Sequence, residues 1–293
     1  MLDQSYAFCT KVARTAGSNF YPCFRLLPHA KRQGMIALYA FMRHTDDLAD
    51  DETVDLATRQ ERLVAWEAAL QKAIHDDPPH VVPAEPESMI LAAVADTVRR
   101  FAIPPEHLLA VIDGVQRDLI PHLYQTFDEL AEYCHLVASA VGLACVRIWG
   151  ADNHEKIVAP SQACGLAFQT INILRDIGED LDRDRVYLPL DDLERVGYSL
   201  DELKHRVVDD RFRDLIALEV DRARTELQNA RPLAAMLHPD GRPILGMMTD
   251  VYTRLLNRIE TSADRLLFHR IRLGRLEKIH LALRWSLPFL RGK

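Results

Sequence analysis

The sequence predicts an all-α fold on three observations. Apolar residues recur at helical spacing through long segments. Hydroxyl residues followed three positions later by glutamate mark helix starts. Proline-bearing breakers separate the segments, and only 12 Gly occur in 293 residues, with little of the alternation a β chain needs. Taken in order, "MIALYAFM" lies inside a first helix at about 30–50, and Thr58 with Glu61 forms a capping box opening one at 58–75. The proline-rich "DDPPHVVPAEPE" (76–87) reads as a surface loop, after which a helix runs about 88–101 until "IPPE". Thr126 with Glu129 caps a helix at 127–149, and "GLAFQTINIL" centres one at 161–181. Ser199 with Glu202 caps 200–208. Helices at 211–237 and 243–262 flank the breaker "HPDGRP", and a final one lies near 275–285. No repeat and no linker divides these segments, so residues 1–293 are expected to form one domain.

Composition narrows the function. Apolar residues make up 48% and charged residues 27%, ordinary values for a globular chain. A formal charge of −7 gives no basic face for nucleic acid. Five cysteines with no C-x-x-C pair point to reduced thiols and a cytoplasmic setting. The N-terminus lacks the pattern of a signal peptide, and "LVASAVGLACV" (Leu136 to Val146) is too short to span a bilayer. The expected location is cytoplasmic, with at most peripheral contact with the inner face of the membrane.

Two acidic clusters carry the chemistry. In "RHTDDLADDE", Asp46 with Asp50 and Asp47 with Asp51 stack one helical turn apart. In "NILRDIGEDLDRDR", Asn172, Asp176 and Asp180 form a stripe of oxygen-bearing side chains with Glu179 beside it. Like charges at this spacing cost a few tenths of a kcal/mol, roughly, per pair, and the first cluster also meets the unfavourable end of its helix dipole. Nothing in the local sequence offsets this. A solvated helix end explains one such cluster. Two clusters of the same spacing, each interrupting an apolar helix and each preceded by an arginine (Arg43, Arg175), favour a divalent-metal diphosphate site.

These motifs, with "GSNFYPCFRLLP", "EYCHLVASAVGLACVRIWG" and "RVYLP", resemble the squalene/phytoene synthases. The resemblance implies the isoprenoid synthase helical fold, with two aspartate-rich helices facing across a central apolar cavity. It implies Mg²⁺ held by Asp46, Asp50, Asn172, Asp176 and Asp180, with Arg43 and Arg175 supporting diphosphate. The implied reaction is head-to-head condensation of two prenyl diphosphates, through an allylic cation, to a cyclopropyl diphosphate. NADPH would enter only if squalene is the end product. Farnesyl diphosphate is favoured, on a general likeness to bacterial enzymes of hopanoid and squalene synthesis. Geranylgeranyl diphosphate, the substrate of phytoene synthases, is the alternative.

Tyr133 matches a tyrosine thought to be catalytic in that family, four residues before Val137 and nine before Gly142. Ala138, Ser139, Ala140, Gly142 and Ala144 run along the same helix and would leave volume for an isoprenoid tail. Tyr187, Arg185 and Tyr252 match positions near substrate. Ser18 stands where some relatives carry a basic residue, so only a hydroxyl is available to a phosphate there. The departure at Gln116–Arg117 leaves Asp118 unassigned. A rival reading, a di-iron carboxylate bundle, rests on three Glu-x-x-His pairs: Glu132/His135, Glu202/His205 and Glu277/His280.

Overall fold

The computed structural model describes residues 2–16, 21–76 and 85–286, and every regular element among them is helical. In chain order these are α1 (Leu2–Thr15), α2 (Tyr21–Phe24), α3 (His29–Ala49), α4 (Leu56–His75) and α5 (Pro86–Phe101). There follow α6 (Glu106–Arg117), α7 (Phe127–Cys134), α8 (Ala140–Trp149) and the long α9 (Val158–Leu181). Two short helices, α10 (Leu190–Arg195) and α11 (Leu200–Lys204), lead to α12 (Asp210–Asn229), α13 (Leu233–Met236), α14 (Arg242–Glu260) and α15 (Arg275–Ser286). The only β pairing among the described residues is one isolated bridge, Ala151 with Leu237.

The predicted helices are all present, with instructive shifts. Asp55, not Thr58, caps α4: its carboxylate accepts from the Thr58 N–H at 2.8 Å, so the helix starts two residues early. Ser199 and Glu202 form the full reciprocal box. Thr126 caps α7, but Glu129 accepts from the N–H of Gln125, one residue further back. The expected 211–237 helix breaks after Asn229, and Pro232 precedes the short α13. The sequence reading placed nothing at α2 or α10, which are short, and missed α1 and α6, two amphipathic helices of 14 and 12 residues. The chain from Phe127 to Trp149 is continuously helical, and its length and apolarity alone would allow it to cross a membrane, contrary to the shorter run read from sequence. Half of that stretch is buried against the rest of the protein, which fits a core helix.

Within that stretch lies a feature no α-periodic reading finds. His135–Ser139 is wound as a π-helix, between Tyr133 and Gly142. The wider turn inserts a residue, so side chains before and after it do not share the face that α spacing assigns them. Ser139, Ala140 and Ala144 are consequently buried, whereas Ala138, Val141 and Gly142 remain half open. The buried positions permit close approach to α9: a Cβ on Gly165 would lie 2.5 Å from the Ser139 Cα.

Packing groups α1, α3, α4 and α5 on one side and α12, α14 and α15 on the other, with α9 and the α7–α8 stretch between them. The buried apolar side chains form one continuous cluster across all of these. Helices α3 and α9 both lie against α8 rather than packing closely on each other. Each keeps one accessible stripe: Tyr39, Met42, Arg43 and Asp46 on α3, and Leu166, Gln169, Asn172 and Asp176 on α9. Both stripes run from an apolar stretch to an acidic end. All five cysteines are buried and none is joined in a disulfide.

Candidate active site

Helix α3 ends at Ala49, and Asp50 is its C-cap, donating its N–H to the Asp46 carbonyl at 2.9 Å. The first acidic cluster therefore sits at a helix C-terminus, as its sequence implied. The chain leaving α9 doubles back so that the Arg185 N–H reaches the Asp180 carbonyl at 2.9 Å. From this turn the guanidinium groups of Arg185 and Arg183 approach opposite carboxylate oxygens of Asp50, at 3.5 and 3.6 Å. The end of α3 and the segment that follows α9 are thus joined through Asp50.

The carboxylates are not left without cations, which corrects the sequence reading. Arg43 pairs with Asp47, and Arg62 with Asp51 at 2.8 Å. Arg175 grips its neighbour Asp176 with two hydrogen bonds of 2.8 and 2.5 Å. Arg270, beyond α14, joins Asp176 at 2.8 Å and Glu179 at 2.8 Å. The arginines expected to face diphosphate are here bound to acidic side chains. Sequence reading missed Arg270 and Arg183, since nothing local marks an arginine whose partner lies 94 or 133 residues away.

Pairing leaves two carboxyls in an anionic environment. Asp46 is accessible to water, yet burial by surrounding protein, followed by the charge of Asp50, pushes its carboxyl up to about 7. Accessibility combined with heavy desolvation is what a side chain lining a cleft experiences. Asp180 is likewise raised to about 7, by burial and then by Asp176. Asp118 adds its charge to both.

Asp118 is the residue the sequence left unassigned. It caps α6 and accepts hydrogen bonds from two tyrosines: Tyr133 Oη at 2.6 Å to one oxygen and Tyr187 Oη at 3.0 Å to the other. The two rings stack with centroids 5.4 Å apart, and Tyr124 lies 5.6 Å from Tyr133 and 6.2 Å from Tyr187. Burial raises all three phenols well above their usual range, so each keeps its proton at neutral pH. Tyr133 is only 3% exposed, whereas Asp118, Arg185 and Tyr187 are half-buried.

From α14, Tyr252 donates to the side-chain oxygen of Asn172 on α9 at 3.2 Å and stacks on Phe168 with centroids 3.9 Å apart. Burial raises the Tyr252 phenol to about 12. Val137 lies in the π turn, where its side chain fills the space that a Cβ on Gly114 would need. Gly142 faces open ground, since a Cβ there would meet only the Ser161 carbonyl at 3.5 Å. Ser18 lies outside the described residues.

A divalent cation fits this donor set. Asp46 and Asp50 on one side, and Asn172, Asp176 and Asp180 on the other, offer the hard oxygen atoms that Mg²⁺ prefers. The raised carboxyls mark where positive charge is wanted. Among the described residues no three carboxylate, imidazole or thiolate groups converge tightly enough to hold an ion alone. The di-iron reading finds no such convergence either. Glu202 is taken by Ser199 and Arg211, Glu277 by Arg258 and the Gly274 N–H, and the two lie on different short helices.

Comparison with known proteins points the same way. The model of the squalene/phytoene synthase family matches residues 13–277. The 15-cis-phytoene synthase of Synechocystis sp. is 34% identical over 272 residues, covering 89% of this chain and 78% of that protein. The phytoene synthase of Arthrospira platensis is 34% identical over 270 residues, covering 88% and 84%. Among solved structures, a dehydrosqualene synthase in complex with ligand aligns with a TM-score of 0.86 at 25% identity, covering 100% of this chain and 98% of that one. Squalene synthase HpnC from Alicyclobacillus acidocaldarius aligns with a TM-score of 0.81 at 29% identity, covering 89% and 95%.

Proposed function

The chain belongs to the squalene/phytoene synthase family, whose members are prenyltransferases of the all-α isoprenoid synthase fold, and from that premise we propose that it joins two farnesyl diphosphates head to head into presqualene diphosphate. Head-to-head condensation of prenyl diphosphates is the reaction of the family, and a divalent metal assists it. The observation that carries the reading is the pair of acidic clusters on α3 and α9, bridged by Arg185, at the end of accessible stripes that turn apolar. Likeness over the whole chain to a dehydrosqualene synthase supports the C15 substrate. The names of the curated relatives favour the second reading, condensation of geranylgeranyl diphosphate towards phytoene.

In this proposal residues 1–293 act as one domain, and Asp46, Asp50, Asn172, Asp176 and Asp180 would hold Mg²⁺. The ion, when bound, stabilises the negative charge of the departing diphosphate. Arg43, Arg175, Arg185 and Arg270 neutralise the same charge, and each can bind a phosphate in a fork. Ala138, Val141, Gly142 and Leu166 line the tail's path and keep water from the cation. Tyr252 orients Asn172. The rings of Tyr133 and Tyr187 lend electron density to the cationic centre. Ser18 would contact diphosphate through its hydroxyl. NADPH is needed only if the product is carried on to squalene. The product class serves hopanoid or carotenoid biosynthesis, in the cytoplasm or at the inner face of the membrane.

The deciding experiment incubates the protein with farnesyl or geranylgeranyl diphosphate and Mg²⁺, with and without NADPH, and identifies the lipid. Presqualene diphosphate from the C15 substrate without NADPH is expected. A clear preference for the C20 substrate would make the protein a phytoene synthase.

A further inference from the structure

The shared acceptor behind the tyrosines has a role that neither metal binding nor tail binding requires. Asp118 sits on the C-cap of α6, off both aspartate motifs, and uses one carboxylate oxygen for each of Tyr133 and Tyr187. Those partners come from sequence positions 15 and 69 residues away, so the junction ties α6, α7 and the segment after α9 together. The rings it holds are stacked on each other, and that of Tyr187 is also stacked on Tyr124. A hydroxyl whose proton points at a carboxylate offers only lone pairs in its remaining directions. A carboxylate next to two phenols also raises the negative potential at both oxygens.

We propose that Asp118 is a positioning residue for the condensation. By accepting both hydroxyl protons it fixes the Tyr133 and Tyr187 oxygens as lone-pair donors to the cationic intermediates and fixes the two rings with them. The inference rests on the head-to-head reading given above. The oxygens remain protonated throughout, and no proton leaves this unit. What it supplies is fixed negative potential beside an electron-poor carbon, formed before the reaction and needing no reorganisation during it. It also gives partners to a half-buried carboxylate in a region already crowded with anions, since each Asp118 oxygen accepts from a phenol.

Asp118→Asn tests this, because the amide has nearly the same shape and the opposite hydrogen-bonding on one side. Its NH2 must donate to one tyrosine oxygen, consuming the lone pair that the carboxylate left free. Expected for Asp118→Asn is a fall in kcat of about 10²-fold, with KM for the prenyl diphosphate changed less than about twofold. Diphosphate release should continue, while the ionised prenyl group is captured by water, so that prenyl alcohol rises relative to condensed product. Asp118→Glu, which retains both acceptors, should recover much of the loss. In a double-mutant cycle the losses of Asp118→Asn and of a Tyr133→Phe, Tyr187→Phe pair should be far from additive, since all act through one unit. Additive losses, an unchanged product-to-alcohol ratio, or loss of the helical signal in Asp118→Asn would each overturn the proposal. Absence of turnover in the unaltered protein with either prenyl diphosphate would sink the head-to-head reading instead.

Discussion

At the scale of single residues, the two acidic motifs behave differently although their spacing is the same. Asp46 is surrounded by Asp47, Asp50 and Asp118, while the nearby Arg43 is committed to Asp47. Asp176 is held by both Arg175 and Arg270. Asp46→Asn is therefore expected to leave stability unchanged or slightly raised, through relief of like-charge repulsion. Asp176→Asn should lower it by about 1 kcal/mol or more, because it weakens hydrogen bonds to charged donors. Both should abolish condensation, and urea unfolding alongside a product assay separates the two effects. An equal stability change in the two variants would contradict the charge map described here. The aspartate motifs themselves were legible in the sequence, because one-turn spacing is a local property of the chain. Asp118 was not, since an aspartate in "QRDL" looks like any helix end until Tyr133 and Tyr187 fold onto it. Arg270 was hidden for the same reason.

At the scale of elements, two glycines on neighbouring helices carry opposite expectations. A Cβ on Gly165 would strike the Ser139 backbone at 2.5 to 2.7 Å, and backbone at that position has no room to yield. Gly165→Ala should cost about 1–3 kcal/mol of stability. Gly142 meets only a carbonyl at 3.5 Å, so Gly142→Ala should gain up to about 1 kcal/mol from helix propensity. Gly142→Leu should fold yet lose turnover, if the open side of α8 receives the isoprenoid tail. Thermal melts and product assays on the three variants check this, and full activity in Gly142→Leu would remove α8 from the tail's path. Helix α8 shows where sequence reading stops. The cap at Thr126 placed a helix at about 127–149, in agreement with the observed stretch, but could not reveal the π turn at His135–Ser139. A one-residue insertion leaves the composition of a helix unchanged and alters only which side chains share a face. Cap chemistry was read correctly at Ser199 and misplaced at Thr58, because Asp55 offers a better acceptor three residues earlier.

At the scale of the whole molecule, three carboxyls among the described residues are raised to about 7: Asp46, Asp180 and Glu219. Glu219 lies far from the acidic motifs in sequence, 1% exposed. It pairs with Arg222 at 2.7 Å, which also binds Asp192 and covers the Phe127 ring at 4.0 Å. A carboxyl whose pKa is higher folded than unfolded binds more protons in the folded state between the two values. Its contribution to stability is therefore greatest below about pH 4 and is lost as the pH rises towards 7. His107 and His154 are shifted downward by burial and oppose this trend up to their ordinary value. Glu219→Gln isolates one carboxyl: its unfolding midpoint should fall less between pH 5 and 8 than that of the unaltered protein. An identical pH dependence would mean that Glu219 is ionised throughout. The arginine pairing of the acidic helices has a further thermodynamic consequence. A cation arriving alone at Asp50 or Asp176 displaces guanidinium groups that then have no anion, and a diphosphate arriving alone draws those groups from carboxylates that then have no cation. Either ligand alone leaves those partners stranded, whereas both together let the paired groups change hands at once. Binding of metal and of diphosphate should then be strongly and mutually cooperative, each tightening the other by the same factor. Calorimetric titration of Mg²⁺ with and without inorganic diphosphate measures that factor, and a value near one would show that the arginines do not hold the carboxylates in solution.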